Sequence, residues 1–393
     1  MPPLEPPARR LPDYAGGGLV NLIASLAAGL GGAPGHPALA LLPPARIAAA
    51  RNVVLLLIDG LGDAFLTVTG RGSELAQRRV GAITSVFPST TAAAITTTLT
   101  GRTPLEHGLT GWFSYFGAAG CVAAPLLFQP RGARTSLAAR GTAPSGMFFA
   151  PSLFDSLAVR TVAVYGRPIV DSVYSRHHCG RAERRAYDDL GGFVDQIEAA
   201  VESGDDRKYV YAYWPELDAI SHEHGAASAA AAAQFGAIDA AYRDLLRRLE
   251  GSDTLVIATA DHGFVDSSHD EALRIDDCPG LAALLRYPLC GEPRTAFCHV
   301  QAGRVPEFIA RASDWLGGRA EVRASRELAT EGWFGPGTAH PAFAERIGDV
   351  ALLMRDRYTV KDWLPGERRI RLIGNHGGTS REEMMIPLAL AQT

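Results

Sequence analysis

Apolar positions in this chain gather into unbroken runs, and three of those runs end on acidic or acid-histidine groups. Val53 to Ile58 leads into Asp59, Tyr209 to Trp214 leads into Asp218 and His222, and Thr254 to Ala260 leads into Asp261-His262. Such runs, without period-2 alternation, read as strands buried on both faces of a parallel sheet. Ligands of open α/β sheets bind just beyond the carboxyl ends of such strands. A further strand is expected over Thr161 to Tyr165 and a strand-like stretch at Arg371-Leu372-Ile373. Phe235, Ile238, Tyr242, Leu245, Leu246 and Leu249 recur at helical spacing, so 226–249 reads as a helix. A second helix is expected after Pro88, where Ser89 to Thr91 can cap it, alanines favour it and Gly101 ends it. Leu19 to Leu30 reads as a packed helix closed by Gly31-Gly32, too short to span a bilayer.

This alternation predicts an α/β fold with a mostly parallel central sheet flanked by helices. Residues 112–150, rich in Gly, Ala and Pro, read as loops over the core. Residues 267–370 carry more charge and break the alternation, so they read as an inserted cap. The core then comprises 1–266 and 371–393.

A net charge of −4 gives no reason to expect a nucleic-acid polymer as partner. Cys121, Cys179, Cys278, Cys290 and Cys298 are scattered and odd in number. Reduced thiols in a cytoplasmic protein are expected rather than a disulfide framework. The start, Met1 to Pro7, is proline-rich and acidic where a secretory signal would be basic. Neither a membrane segment nor an oligomeric state is legible.

The chemistry lies in the strand ends. Asp218 and His222 are four apart, so one helical turn presents both on one face, a common arrangement for two ligands of one metal. Asp261 and His262 follow a strand directly, where successive side chains point opposite ways and can reach two neighbouring ions. Asp59 and His376 come from distant strand ends. Carboxylate oxygens mixed with imidazole nitrogens suit a divalent transition metal, zinc first. A pair of ions some 3.5–4 Å apart can clamp a transferring phosphoryl group. A threonine at the start of the helix after Pro88 would supply the nucleophile, its hydroxyl activated by metal and its phosphate held by helix amides. Thr91 sits there, and Thr90 competes for the role.

Together Asp59, Thr91, Asp218-x-x-x-His222, Asp261-His262-Gly263 and Asn375-His376-Gly377 resemble the alkaline phosphatase superfamily, most closely its type I phosphodiesterase/nucleotide pyrophosphatase branch. The resemblance runs from about residue 50 to the C-terminus, apart from the cap and 112–200. It implies an alkaline phosphatase-like core and two Zn2+ per chain, other divalent metals being possible. It assigns Asp218, His222 and His376 to one ion, and Asp59, Asp261, His262 and Thr91 to the other. In that family the nucleophile lies ten residues before the glycine of a Thr-Gly pair followed by Pro and His-Gly. Thr100-Gly101, Pro104 and His107-Gly108 match and select Thr91. Two features differ: Phe87-Pro88 precedes the nucleophile rather than following it, and Gly111-Trp112-Phe113 stands where the family carries an asparagine.

The activity so implied is a phosphodiesterase or nucleotide pyrophosphatase-like hydrolase acting on a small phosphate ester through a phospho-threonine. Alternatives on the same site are a phosphomonoesterase, a phosphonate hydrolase or a phosphoryl transferase. Each residue has a plainer reading as well. Asp59 alone could cap a helix, Asp218 and His222 could be a surface pair, and Asp261-His262-Gly263 could be a turn. His107 is expected to order its loop and His224 to lie on the surface. His177-His178-Cys179 is expected in a solvated loop. Asp63 and Trp112 are expected behind the ligands or in the pocket wall.

Overall fold

The computed structural model describes residues 9–367, 369 and 371–393; Met1 to Pro7 of the proline-rich start lies outside the described residues, as do Arg368 and Ile370 of the expected cap. Seven strands form the main sheet: β1 (Asn52–Ile58), β2 (Arg79–Thr84), β3 (Arg160–Gly166), β4 (Glu183–Tyr187), β5 (Lys208–Trp214), β6 (Thr254–Thr259) and β7 (Met385–Gln392). Their spatial order is β2-β7-β6-β1-β5-β3-β4. Every neighbouring pair runs parallel except the two that β7 makes, with β2 and with β6. β1, β5 and β6 are buried throughout, which is what unbroken apolar runs require. The flanking helices are α1 (Leu19–Gly29), α2 (Thr91–Thr100), α3 (Leu190–Glu202), α4 (Glu216–His224) and α5 (Ala229–Arg248). Among the described residues no helix is long and apolar enough to cross a membrane, and all five cysteines are free.

One registration sets up the rest. β1 lies between β5 and β6, with Ile58 opposite Trp214 and Leu57 opposite Thr259. The three strands that lead into the candidate ligands are therefore neighbours whose carboxyl ends finish level.

A second sheet is built from Cys290–Gly291, Thr295–Cys298, Val350–Met354 and Ala320–Ala324, all paired antiparallel. Helix α6 (Val305–Leu316) accompanies it, burying Phe308, Ala312 and Leu316 in a cluster with Val350 and Leu352. Among the described residues, no strand of the main sheet comes from 267–370.

Three expectations are corrected. Residues 112–150 are not loops throughout: Ser114–Phe116, Cys121–Ala124 and Gln129–Pro130 form an antiparallel sheet. Its strands are too short to carry a readable alternation. Arg371-Leu372-Ile373 is not a strand; the pairing falls on Gly374–Asn375 with Val265–Asp266. The Ile373 amide is instead committed to the His222 carbonyl at 2.8 Å, and its own carbonyl to the Ser267 amide. His177-His178-Cys179 is no solvated loop either. His178 ends a helix (Val173–His178), and both it and Cys179 are buried, the imidazole Nδ1 lying 3.0 Å from the Tyr174 carbonyl.

Arg294 ties the second sheet to the last segment of the chain. It pairs with Glu383 through Nε and Nη2 at 3.1 and 2.9 Å, with side chains only 1% and 0% exposed. Breaking a buried pair strands one charge, whereas replacing both partners does not. Arg294→Met is therefore expected to cost ~3–5 kcal/mol of stability, and Arg294→Met/Glu383→Met less than the single variant. Urea unfolding measures both.

Candidate active site

Four short stretches converge at the level strand ends. Asp59 follows β1 directly, Asp218 and His222 occupy one face of α4 after β5, and Asp261-His262 follow β6. His376 arrives from the far end of the chain, carried by the pairing of Gly374–Asn375 with Val265–Asp266. Side-chain donors from Asp218, His222 and His376 form one group, and those from Asp59, Asp261 and His262 a second, all atoms within a group lying within 4.8 Å of one another. The adjacent Asp261 and His262 thus serve the same group, not two, because the chain has left the strand geometry that would splay them.

Spacing and orientation both fit metal. His222 Nε2 stands 3.4 Å from Asp218 Oδ1, and His262 Nε2 is 3.4 Å from both Asp59 Oδ1 and Asp261 Oδ2. Donors ~2.0–2.1 Å from a tetrahedral ion would be about 3.3 Å apart. The Nδ1 atoms of His222, His262 and His376 face the carbonyls of Gly374, Gly263 and Ser89 at 2.9, 3.2 and 3.3 Å. That commits each Nδ1 as donor and leaves each Nε2 lone pair for the centre.

The carboxylates show the same division. Asp59 Oδ2 accepts the Tyr213 hydroxyl, and Asp261 Oδ1 accepts the amides of Gly60 and His262, each at 3.0 Å. Asp59 Oδ1, Asp261 Oδ2 and Asp218 Oδ1 are buried without any partner among the described residues. Orphaned buried oxygens are rare because each costs its desolvation. Three of them around three imidazole nitrogens make a donor set suited to divalent cations.

The backbone here admits only small residues. A Cβ on Gly263 would lie 2.1 Å from the Glu382 carbonyl oxygen, so glycine after Asp261-His262 lets β6 turn beneath the last helix.

Thr91 is the first residue of α2 and the one residue of that helix not fully buried. Its Oγ1 lies 3.1 Å from His262 Nε2, on the side of the second group. Thr90 is 0% exposed and faces elsewhere, its hydroxyl donating to Glu292 Oε1. It is the N-cap but makes no side-chain cap, so the first amides of α2 are not closed off by it. Gly101 ends the helix in the left-handed conformation, φ 65°.

The remaining candidates fall into supporting places. His107 orders its loop, with Nδ1 accepting the Leu109 amide at 3.1 Å and Nε2 3.2 Å from Thr97 Oγ1. His224 is exposed. Asp63 pairs with Arg79 at 2.6 and 3.1 Å rather than supporting a ligand. Trp112 is 37% exposed, and its amide donates to Glu292 Oε1 at 2.7 Å. Sequence reasoning missed Tyr213 and Glu292. Tyr213 hides in a fully buried strand where every position looks apolar, and Glu292 stands in a segment with no recognisable motif.

Comparison with known proteins places the chain in a family. The sequence model of the type I phosphodiesterase/nucleotide pyrophosphatase family matches residues 53–379, and the chain belongs to that family. No curated protein matches the sequence. Among solved structures, murine ectonucleotide pyrophosphatase/phosphodiesterase 5, in an inactive form complexed with AMP, has a TM-score of 0.66 at 17% identity, covering 86% of this chain and 87% of its own. The human form of that protein has a TM-score of 0.64 at 16% identity, with coverage of 86% and 87%. Phosphonoacetate hydrolase from Sinorhizobium meliloti 1021, complexed with phosphonoacetate, has a TM-score of 0.61 at 15% identity, with coverage of 87% and 90%. These structures share the fold: an alkaline phosphatase-like core with a mostly parallel sheet flanked by helices.

Packing acids together without a cation changes their proton affinity. Burial, then the charges of Asp261 and Asp218, raise Asp59 well above the ordinary carboxylate range. Burial pushes Asp218 up to about 7 despite the opposing His262. Burial lowers His222 to about 4 and, with His262 and His222 beside it, takes His376 well below its ordinary value. At about pH 6 the His222 imidazole is already neutral while the Asp218 carboxyl holds its proton. Zinc binding at about pH 6 should therefore release a proton from Asp218, and release should fall as pH rises above about 7. Calorimetry in buffers of different ionisation enthalpy measures that release.

Proposed function

We propose that this protein is a two-zinc phosphohydrolase with phosphodiesterase or nucleotide pyrophosphatase-like activity, using Thr91 as a covalent nucleophile. The observation that carries the reading is Thr91 Oγ1 at the open start of α2, 3.1 Å from the Nε2 of a candidate ligand. Asp218, His222 and His376 would hold one ion, and Asp59, Asp261, His262 and Thr91 the other. When bound, the ions would supply Lewis-acid stabilisation of the phosphoryl charge and lower the pKa of a hydroxyl or water.

The chain's own groups do the rest. The first amides of α2 point at the phosphoryl site and favour its negative oxygens. Thr91 Oγ1 attacks phosphorus in line; its bond to phosphorus forms as the bond to the leaving oxygen breaks, and the hydroxyl proton passes through solvent to that leaving oxygen. Water then attacks the phospho-threonine, and the Thr91 hydroxyl is restored as phosphate, or its remaining monoester, departs. Side chains of the first group are the more exposed, Asp218 at 18% and His222 at 22% against 2% for Asp59 and 0% for Asp261 and His262. Substrate and water enter from that side. The family and the AMP-bound relative support a small nucleotide or phosphoester substrate, with 267–370 acting as a cap over it.

Two ions per chain are expected by metal analysis after zinc reconstitution, with activity lost on chelation and regained with zinc. His376→Ala should retain the Asp59-Asp261-His262 ion alone. Less than one equivalent in the unaltered protein contradicts this arrangement.

Thr91→Ala should lower kcat by roughly 10³-fold or more while keeping both ions, because the nucleophile is gone and the ligand carboxylates are not. Thr91→Ser should keep measurable turnover. Thr90→Ala, losing one hydrogen bond worth about 1 kcal/mol, should change kcat by less than about tenfold. Steady-state kinetics on bis-p-nitrophenyl phosphate distinguishes the two threonines.

A further inference from the structure

Glu292 has no part in either ligand group, yet it stands beside the start of α2 and the loop of His376. It sits in the turn between Cys290–Gly291 and Thr295–Cys298 and is 8% exposed. Oε1 takes the Thr90 hydroxyl and, at 2.7 Å, the Trp112 amide. It thereby grips the residue immediately before the nucleophile. The other side of Glu292 meets the His376 loop: Gly377 has φ 104°, and a Cβ there would lie 2.6 Å from Glu292 Cβ. Oε2 accepts no hydrogen bond among the described residues. A carboxyl group therefore lies wedged between the N-cap of α2 and the loop of a candidate ligand. In the hydrolase reading, the non-bridging oxygens of a substrate held by the α2 amides come to this wall. The Trp112 amide that anchors it belongs to the stretch in which no asparagine is present to hold such an oxygen.

We infer that Glu292 is a charge-selecting residue of this site, disfavouring a phosphoryl group with two negative charges and so favouring monoanionic diesters over dianionic monoesters. This deepens the hydrolase reading above and rests on it. A monoester differs from a diester by one unit of charge on a phosphoryl oxygen, because its second ionisation lies near pH 6. A carboxylate in a water-poor pocket acts on that extra charge far more than on the charge both esters share. Burial pushes the Glu292 carboxyl up to about 7, with Asp218 raising it and the Lys361 ammonium opposing. Lys361, at the end of the strand Thr359–Lys361, makes no hydrogen bond among the described residues, and its charge opposes the rise of Glu292.

Glu292→Gln tests charge apart from shape, since an amide oxygen can still accept from Thr90 and Trp112. The binding arm uses zinc-loaded Thr91→Ala protein, with and without Glu292→Gln, titrated calorimetrically at about pH 8 with inorganic phosphate and with dimethyl phosphate. Glu292→Gln should tighten phosphate about tenfold or more (about 1.4 kcal/mol) relative to dimethyl phosphate. Lys361→Met should move the same ratio the opposite way. The kinetic arm compares p-nitrophenyl phosphate with bis-p-nitrophenyl phosphate, and Glu292→Gln should raise the monoester-to-diester ratio of kcat/KM about tenfold. Equal shifts for both ligands, or none, with an unchanged melting temperature, overturn the assignment. If wild-type protein hydrolyses neither ester, the hydrolase reading falls while the phosphate titrations still decide the role of Glu292.

Discussion

Three carboxylates held close together in the interior, with no lysine or arginine paired to them among the described residues, are the constraint on which the rest depends. Left alone, Asp59, Asp218 and Asp261 repel one another and lose hydration, which is why Asp59 and Asp218 hold protons more tightly than exposed acids. The protein compensates only half of each side chain. One oxygen of Asp59 receives Tyr213 and one of Asp261 receives two amides, while the opposite oxygens are left bare. The three imidazoles are treated alike, with Nδ1 tied to a carbonyl and Nε2 turned inward. A site so arranged would gain from added positive charge, and the fold around it must bear the repulsion. A sheet whose central strands are buried end to end is rigid enough to do so.

Much of this was legible in the sequence because the same rule, apolar run then acid, applied at all three central strands. The pattern singles out Asp59, Asp218, His222, Asp261 and His262, order and spacing single out His376 and Thr91, and the structure brings these candidates together. What the pattern could not show was adjacency. Nothing in the linear order says that β5 and β6, carrying the second and third clusters, flank β1; that follows from pairing across more than a hundred residues. Short pairings were also invisible. The strands between 114 and 130 and the two-residue pairing before His376 are fixed by partners, not by their own periodicity.

The residues overlooked share a physical trait. Tyr213 and Glu292 act through a single oxygen directed at another side chain or amide, a role that leaves no trace in hydropathy or spacing. Thr90 and Thr91 show the converse. They are adjacent and chemically identical, and the structure turns their side chains different ways: Thr91, the first residue of α2, opens toward His262, whereas Thr90, its N-cap, is sealed against Glu292. His178 was misjudged for a related reason, since a histidine at a helix end can be buried by aromatic packing on Tyr174 and Phe148 without any ion to bind.

β7 supplies none of the candidate ligands, yet among the described residues it is the one strand of the main sheet that runs against its neighbours, and it lies between β2 and β6. On one side of it runs the strand that leads to the helix beginning at Thr91; on the other are the strands that end on the acids. The two halves of the candidate site are thus joined edge to edge through a strand that adds no group to either. It behaves as a keystone: loosening β7 would part Thr91 from the acids without altering any candidate ligand.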